Sequence, residues 1–337
     1  MRRREFIAGS AVTAVISFAG PVCAQTRSSV VNRMAIVDPA IRAEDLTING
    51  HAGLKAYFGA LNSLGYIEGQ NLTVERYSAL GQPERLAEIA RAAVASHPDL
   101  IFAIGGAVVR QLKPLTTTIP IIATSNDPVA GKLVTNLARP DANITGVSVD
   151  AGLELFGKRF GVFREVVRKL TNVRVLIASS GLLFWETIRT RLEEDAARLG
   201  ISVSFEVPKE ADRVSYERAF DLIAADRADG LMVSEGSENT TNRKLIIDLA
   251  ARHRLPAIYP YREYVELGGL LSYGINLSDV FRRVATMTAD VLKGTKPADI
   301  PFYQETKFEL VLNRTTASSL GLEFPVSLIA TAEEVIE

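Results

Sequence analysis

Residues 100–106 read Leu-Ile-Phe-Ala-Ile-Gly-Gly, a short apolar run that ends in two glycines. A run of this length without polar alternation is typical of a strand that is buried on both faces of a parallel sheet. Similar runs occur along the chain at 34–37, 72–75, 119–123, 173–178, 203–207, 230–233 and 257–259. The sequence therefore predicts parallel β-sheet.

Amphipathic stretches separate these runs. In the first of them Leu54, Tyr57, Phe58 and Leu61 fall on one helical face. The predicted helices span 53–64, 83–96, 185–199, 215–225 and 241–253, and a Gly or Pro follows four of them. Regular alternation of strand and helix predicts an α/β architecture.

The alternation occurs twice, over about 33–147 and about 160–272, which predicts two doubly wound parallel-sheet lobes. The chain then continues through a predicted helix, a Pro-containing link and a predicted strand, at 277–293, 296–301 and 307–312. A segment left over after two complete lobes indicates that the chain crosses back between them.

We therefore expect the first lobe to contain 31–147 with about 277–300, and the second to contain 148–274 with about 305–337. The chain would then pass between the lobes near 145–150, 274–277 and 300–306. We expect these passages to act as a hinge that lets the lobes close around a ligand.

The first 24 residues are typical of a cleaved export signal. Three arginines at 2–4 precede an apolar run at 7–19, and small residues lead to Ala24. The run is shorter than the ~20 residues that a membrane-spanning helix needs. We predict cleavage near Ala24 and a periplasmic location. Arg3-Arg4 before Glu5-Phe6 favours the twin-arginine route, although basic residues also open ordinary secretory signals.

The single cysteine, Cys23, lies inside this signal. Cleavage leaves no disulfide, no thiolate nucleophile and no cysteine metal ligand. A lipoprotein with an acylated Cys23 is the alternative, but Gly20-Pro21-Val22 fits its usual pattern poorly.

The charge of the chain excludes several classes of partner. With 38 basic and 39 acidic residues, the formal net charge is −1 at pH 7. Such a balance provides neither a basic field for nucleic acid nor a polybasic stretch for a membrane surface. We expect a monomer with no nucleic-acid partner.

Polar residues and glycines follow most of the predicted strands. Ligands of open α/β sheets bind outside the carboxyl ends of the strands. The candidate ligand-binding residues are Asp38, Gly105, Gly106, Ser125, Asn126 and Asp127 in the first lobe, and Ser180, Glu235, Gly236, Tyr259 and Arg262 in the second, with Tyr273 further along. Each loop is also consistent with a turn or a helix cap alone.

These residue types are suited to recognition. Arg262 could pair with a ligand carboxylate, and Asp38, Asp127 or Glu235 could receive an ammonium group. Tyr259 and Tyr273 could stack on an apolar or aromatic part. An amino acid or an aromatic carboxylate would use all three groups, although a polar uncharged ligand is also consistent with them.

Signatures of catalysis are missing from the sequence. His51, His97 and His253 are far apart and are expected at surface or capping positions. There is no metal-ligand spacing, Walker loop, G-x-G-x-x-G turn or G-x-S-x-G motif. We therefore predict a binding protein that is not an enzyme and that uses no cofactor or metal.

Several segments resemble one family. They are 2–6 (RRREF), 64–72 (LGYIEGQNL), 126–129 (NDPV), 137–140 (LARP), 143–147 (NITGV), 268–274 (GGLLSYG), 292–294 (LKG), 296–299 (KPAD) and 306–313 (TKFELVLN). In this order they resemble the ABC transporter substrate-binding proteins of the tryptophan/tyrosine-binding-like type. The resemblance covers nearly the whole mature chain.

The resemblance implies the type I periplasmic-binding-protein fold, delivery of a small molecule to an ABC permease in the inner membrane, and no cofactor. Three segments depart from the family pattern: Asp38-Pro39-Ala40 replaces a Ser- or Gly-containing turn, Asn126 replaces the usual Gly before Asp-Pro-Val, and Asp141-Ala142 replaces the usual Gly-Gly before Asn-Ile-Thr-Gly. Alternatives to an importer component are a ligand-sensing partner of a membrane receptor and a periplasmic enzyme. A sugar-sensing repressor is disfavoured by the export signal.

Overall fold

The computed structural model describes residues 31–140, 143–149 and 154–337. The expected export signal and the segment 150–153 between the two series of strands lie outside the described residues.

Most of the strands lie within a few residues of the predicted runs, and four were not predicted: those at 144–148, 271–275, 303–304 and 334–336. The strands are β1 Asn32–Asp38, β2 Leu72–Ser78, β3 Leu100–Ile104, β4 Ile121–Ser125, β5 Ile144–Ser148, β6 Asn172–Leu176, β7 Ser202–Glu206, β8 Gly230–Val233, β9 Ala257–Tyr259, β10 Leu271–Ile275, β11 Tyr303–Gln304, β12 Phe308–Asn313 and β13 Glu334–Ile336.

The helices occupy the stretches between the strands. They are α1 Ala52–Ser63, α2 Leu86–Ala95, α3 Gly106–Leu112, α4 Glu154–Val166, α5 Leu182–Arg198, α6 Arg213–Ala225, α7 Ser237–Thr241, α8 Arg243–Arg252, α9 Arg262–Glu266, α10 Leu277–Leu292, α11 Arg314–Ser319 and α12 Val326–Thr331.

The first sheet has the order β11-β5-β4-β3-β1-β2, and its neighbouring strands are parallel. Strand β1 lies between β2 and β3, so the chain winds outward from β1 in both directions. The carboxyl ends of strands on either side of such a reversal form a crevice. The residues that follow β1, β3 and β4 are therefore held close together.

The second sheet has the order β13-β12-β10-β9-β8-β6-β7. It repeats the reversal with β6 between β7 and β8, and it is parallel except where β12 pairs antiparallel with β10. Strand β12 enters this sheet directly from β11, which belongs to the first sheet. No helix precedes it, as would be needed to connect parallel neighbours of one sheet. The predicted α/β fold with two doubly wound, largely parallel sheets is confirmed.

Helix α10 follows a strand of the second sheet but packs on the first. The Tyr57 hydroxyl of α1 and the Thr288 hydroxyl of α10 lie 3.1 Å apart, and the Phe281 ring meets the Phe102 ring of β3 edge-on at 5.8 Å. The chain then adds β11 to the first sheet beside β5 before it returns through β12. The last quarter of the chain thus links the two sheets.

Both faces of each sheet are covered. On the first sheet α1 and α10 bury one face, and α2 and α3 bury the other. On the second sheet α4 and α5 cover one face, and α6, α8 and α9 cover the other. Because both faces are buried, the strands need few polar residues until they end, and this places the polar loops at the sheet edges.

Candidate ligand-binding site

A cavity, in the form of a cleft that encloses about 700 Å³, part of it open to solvent, lies where the carboxyl ends of the two sheets face each other. The candidate residues that line it are Gly105, Gly106, Ser125, Asn126, Ser180, Glu235 and Gly236. Further lining residues that the sequence did not suggest include Ile41, His51, Ile104, Val149, Thr240, Tyr261, Leu277 and Phe281.

The first-sheet wall is built from the ends of β3 and β4. Gly105 has a φ of 90°, a left-handed conformation that glycine adopts without strain, and it turns the chain into α3. The Ser125 hydroxyl donates to the Asn126 carbonyl at 2.9 Å. The buried Asn126 side-chain nitrogen has no hydrogen-bond partner among the described residues. Asn126, which lines the cavity, thus carries a buried donor without an acceptor in the described part of the chain.

The second-sheet wall follows β6 and β8. Glu238 accepts hydrogen bonds from the Ser180 amide at 2.8 Å and the Ser180 hydroxyl at 2.9 Å, which fixes the loop after β6. Gly236 has a φ of 147°, and a Cβ there would lie 2.4 Å from the Cβ of Ala178. A larger residue at 236 would push the two loops apart.

Glu235 provides the main charge on this wall. Its Oε1 lies 2.6 Å from Nη1 of Arg159 in α4, and the two side chains are 3% and 2% exposed. The Arg159 Nε donates to the Tyr273 carbonyl at 2.7 Å. In the described part of the chain, Oε2 of Glu235 has no hydrogen-bond donor. The wall therefore holds a buried carboxylate with one oxygen paired and the other unused.

Sequence reasoning missed Arg159, because nothing in the pattern of α4 separates it from the arginines that face solvent. Tyr261 comes two residues after β9, where the carboxyl-end rule applies, but residue type alone favours its neighbours Tyr259 and Arg262. Phe281 lies on α10, and nothing in the sequence distinguishes it from the other apolar residues of that helix.

His51 both caps helix α1 and lines the cavity. Its Nδ1 accepts a hydrogen bond from the Gly53 amide at 3.1 Å, as the cap of α1. Its ring meets Phe281 edge-on at 5.4 Å. Burial, followed by the charge of Arg243, lowers the pKa of His51 from 6.5 to about 4, so it is neutral at pH 7. The capping position was expected, but the place in the cavity wall was not.

Asp38 lies at the interface between the lobes but behind the cavity lining. Its Oδ1 accepts hydrogen bonds from the Ala40 and Ile41 amides at 2.7 and 2.6 Å, and its Oδ2 accepts one from the Ser237 hydroxyl at 2.9 Å. Burial, only partly offset by these bonds, raises the pKa of Asp38 from 3.8 to about 7. Its carboxyl group thus joins the end of β1 to the start of α7.

Two other candidates have local structural roles outside the cavity lining. Asp127 accepts hydrogen bonds from the Val129 and Ala130 amides at 2.9 and 3.0 Å, which closes a turn. Tyr259 is buried in the core, where its ring stacks on that of Tyr264 at 5.0 Å. Both placements differ from the expected ligand contacts, because local backbone amides and core packing occupy these side chains.

Arg262 and Tyr273 also differ from expectation. Arg262 forms ion pairs with Glu266, Glu309 and Glu334, so its charge is already balanced by these three carboxylates. Tyr273 stacks on Phe308 at 5.9 Å and faces a separate surface groove. The expected carboxylate partner and one expected aromatic surface are therefore absent from the cavity lining described here.

No group of three or more His, Cys, Asp or Glu side chains that could hold a metal ion occurs within the described ranges. In the same part of the chain, no helix is both long and apolar enough to cross a membrane.

Two α/β lobes that meet around a polar and apolar cavity define the class of periplasmic-type solute-binding folds. The family model described as ABC transporter substrate binding protein matches residues 47–336, and the chain belongs to this family. The suggested resemblance is confirmed.

Comparisons with individual proteins agree with this assignment. A tyrosine-binding protein of Clostridioides difficile is 25% identical over 280 residues, which cover 80% of this chain and 76% of that protein. A solved conserved domain protein of Vibrio cholerae has a TM-score of 0.79 at 24% identity, with 90% and 99% of the two chains covered. A streptococcal ABC domain in complex with L-Trp has a TM-score of 0.76 at 20% identity, with the same coverage.

Proposed function

We propose that this protein is the extracytoplasmic solute-binding component of an ABC importer, and that it closes around an amino acid. It is exported by the signal at 1–24, binds its ligand as a monomer without catalysis, and presents the closed form to a permease. The family match and the cavity between the lobes support the general role. The choice of ligand rests on two polar atoms in the cavity walls.

The observation that carries the proposal is the pair of unused polar groups on opposite walls. Within the described residues, Oε2 of Glu235 lacks a donor and the side-chain nitrogen of Asn126 lacks an acceptor. A buried polar group without a partner costs about 1–3 kcal/mol. A ligand that brings both a donor and an acceptor would offset both costs and connect the lobes.

An α-amino acid has these two groups at one end. Its ammonium would meet Glu235, and its carboxylate would meet Asn126. Because Arg159 already balances the charge of Glu235, a ligand with no net charge leaves the closed cavity neutral, and burial of an unbalanced charge is avoided. The side chain of the ligand would lie against Ile41, Ile104 and Phe281. Glu235 thus takes the ammonium role, and Asn126 replaces Arg262 as the expected carboxylate partner.

The test is isothermal titration calorimetry of the purified protein with amino acids, their deaminated acids, their decarboxylated amines, sugars and nucleosides. We expect one or more amino acids to bind at least tenfold more tightly than the matching acid or amine, since each loses a charge-assisted hydrogen bond. Tight binding of a sugar or nucleoside, with no amino acid bound, would contradict the choice of ligand.

Asn126→Asp provides the matched variant. The new carboxylate repels a ligand carboxylate, so affinity for the amino acid should fall at least tenfold while the decarboxylated amine loses little or gains. Asn62→Asp, the same change at an exposed position of α1, should leave both affinities unchanged. If the amino acid binds Asn126→Asp and the unchanged protein with equal affinity, Asn126 does not contact the ligand carboxylate.

A further inference from the structure

A hydrogen bond joins the two lobes behind the lining of the ligand cavity. The Ser237 hydroxyl at the start of α7, in the second lobe, donates to Oδ2 of Asp38 at the end of β1, in the first lobe, at 2.9 Å. Asp38 is 0% exposed and Ser237 is 9% exposed. A carboxyl group is therefore buried at the interface between the lobes, and the proposed recognition of an amino acid makes no use of it.

A close backbone contact lies at the same interface. Gly81, in the loop after β2, packs against Ala211, in the loop between β7 and α6, so that a Cβ at Gly81 would lie 2.2 Å from the Ala211 Cβ. The Gly81 amide donates to the Pro39 carbonyl at 2.8 Å, which ties this loop to the residue after Asp38. The Asn242 side chain donates to the Ala211 carbonyl at 3.0 Å. A side chain at 81 should therefore hold the lobes apart.

The hydrogen bonds of Asp38 suit a protonated carboxyl group. Its Oδ1 accepts from two backbone amides of the following turn at 2.7 and 2.6 Å, as a carbonyl oxygen does. The Ser237 hydroxyl accepts as well as donates, so a proton on Oδ2 can be shared with it. The flanking strands β2 and β3 end beside Asp38 in the uncharged residues Ser78 and Ile104. A neutral Asp38 thus has partners for both of its oxygens.

The charges near Asp38 also favour its neutral form. Glu238 of α7 acts on it with a charge of the same sign. Glu235, in the loop before α7, is paired with Arg159 at 2.6 Å, and His51 at the start of α1 is neutral at pH 7. Together these groups provide no net positive charge that would hold Asp38 ionised.

The closed form therefore binds a proton at Asp38 more tightly than the open form does. Burial, only partly offset by hydrogen bonds, raises the pKa of Asp38 from 3.8 to about 7. When the lobes separate, Ser237 and Glu238 move away and water reaches the carboxyl group, so the causes of this rise are removed. Because linkage is reciprocal, protonation favours closure to the same extent. This contribution to closure is fully present below about pH 4 and is lost as the pH rises through about 7.

We propose that closure of the two lobes is coupled to the uptake of one proton from solvent at Asp38, so that the protein closes more readily in acidic than in alkaline surroundings. The inference rests on the part of the proposed function in which the lobes open and close, and not on the choice of ligand. A compound that binds only the closed form is then held more tightly at low pH, by up to about tenfold for each pH unit between about 4 and 7.

Small-angle X-ray scattering of the ligand-free protein tests the coupling. Between about pH 5.5 and 8 the ratio of closed to open form should fall by about tenfold or more, which increases the radius of gyration. Asp38→Asn keeps the hydrogen bonds but cannot titrate, so its radius should be the same at both pH values. Asp221→Asn, at an exposed position of α6, is the control and should behave as the unchanged protein does.

Gly81→Ala tests the same coupling at the carboxyl group itself. Its Cβ meets Ala211, so this variant should hold the lobes apart and let water reach Asp38. Carbon-13 NMR of the Asp38 carboxyl carbon should then give a pKa lower by about two or more than in the unchanged protein. Gly69→Ala is the matched control, because φ is 82° at Gly69 and 75° at Gly81, but a Cβ at Gly69 would meet no other part of the described chain within 4 Å.

These results decide the proposal. A radius that increases with pH only while Asp38 is present, together with a lower pKa in Gly81→Ala, supports the coupling. If the radii of Asp38→Asn and the unchanged protein change alike with pH, or if Asp38 titrates at the same pH in Gly81→Ala and Gly69→Ala, closure is not coupled to Asp38. Both measurements use ligand-free protein, so their outcome is independent of whether calorimetry finds an amino acid that binds.

Discussion

At the scale of single residues, the buried pair of Arg159 and Glu235 sets the electrostatics of the site. Burial of a lone carboxylate is costly, and a guanidinium at 2.6 Å compensates most of that cost. The pair also fixes the position of Glu235, because Arg159 is held by the Tyr273 carbonyl and packs over the Phe156 ring at 5.6 Å. Glu235, which lines the cavity, is thus held in place, and its Oε2 has no hydrogen-bond donor among the described residues.

Removing the arginine alone should be strongly destabilising. We expect Arg159→Met to lower the free energy of unfolding by about 3–5 kcal/mol, because it leaves Glu235 buried without a counter-charge. The double variant Arg159→Met, Glu235→Gln should recover a large part of this loss, since neither side chain is then charged. Urea unfolding of the four proteins in the cycle measures the coupling.

The control for this cycle is Arg314→Met, which breaks an exposed pair with Glu337 at 2.9 Å whose side chains are 50% and 79% exposed. Such pairs are worth about 0–1 kcal/mol. If Arg159→Met costs no more than Arg314→Met, the buried pair does not stabilise the fold.

Residue positions also show where the sequence was informative. The carboxyl-end rule identified Gly105, Asn126 and Glu235 in the cavity lining, because strand order fixes where these loops lie. It failed to separate Tyr261 from Arg262, since adjacent residues point in different directions. Arg262 faces three glutamates from distant segments, and no local pattern reveals such partners.

At the scale of elements, hydrophobic runs bounded by Gly or Pro predicted most of the strands and half of the helices of the described residues, to within a few residues. Helix α4 was not predicted: Gly157 and Gly161 weaken its helical pattern, and its Phe156, Phe160 and Phe163 become informative only against the second sheet. Strand β5 was hidden by Gly146, which is required because a Cβ there would lie 2.0 Å from the Ala123 carbonyl oxygen of β4. Tertiary packing decides both elements.

The junction of β1 with α7 should make stability depend on pH through Asp38. Its pKa in the folded protein is about 7 and its ordinary value is 3.8, so the folded state holds the proton more tightly than the unfolded chain. The contribution of Asp38 is fully present below about pH 4 and is lost as the pH rises through about 7. Glu238 is the charged group that acts on it, and Ser237 is its neutral partner across the interface.

Asp38→Asn tests this dependence. The amide oxygen can accept from Ala40 and Ile41 while the amide nitrogen donates to Ser237, so the contacts are kept without the charge. The unfolding free energy of Asp38→Asn relative to the unchanged protein should therefore increase between pH 5 and 8, by up to about 3 kcal/mol. The titration of His51 is common to both proteins and cancels in this difference.

Asp248→Asn, on the exposed face of α8, should show a difference that is independent of pH over the same range. If the difference in unfolding free energy between Asp38→Asn and the unchanged protein is also independent of pH, Asp38 is not buried as a carboxyl group in solution.

At the scale of the whole molecule, the order of the chain determines how the lobes can move. The chain leaves the first sheet after β5, returns for α10 and β11, and leaves again for β12. We expect the lobes to rotate about these passages while each core stays intact. In this structure the hydrogen bond from Ser237 to Asp38 joins the lobes on the cavity side, 199 residues apart in the chain.

We expect this bond to shift the balance between open and closed forms in the absence of ligand. A hydrogen bond of about 1 kcal/mol changes a two-state ratio roughly fivefold, so Ser237→Ala should increase the open fraction by about that factor. Because closure must then be driven by the ligand alone, affinity should fall by a few-fold when the open form dominates. Small-angle X-ray scattering of the ligand-free protein should show a larger radius of gyration for Ser237→Ala.

Saturating ligand should abolish this difference, because ligand contacts on both walls then outweigh one bond between the lobes. Ser63→Ala removes a hydroxyl that donates to the Gly59 carbonyl within α1, at 3.0 Å, and should leave the radius unchanged. A Ser237→Ala protein with the same radius and affinity as the unchanged protein would show that closure depends on the ligand and the hinge segments alone. A larger radius that persists with ligand bound would instead mean that the bond is required for closure itself.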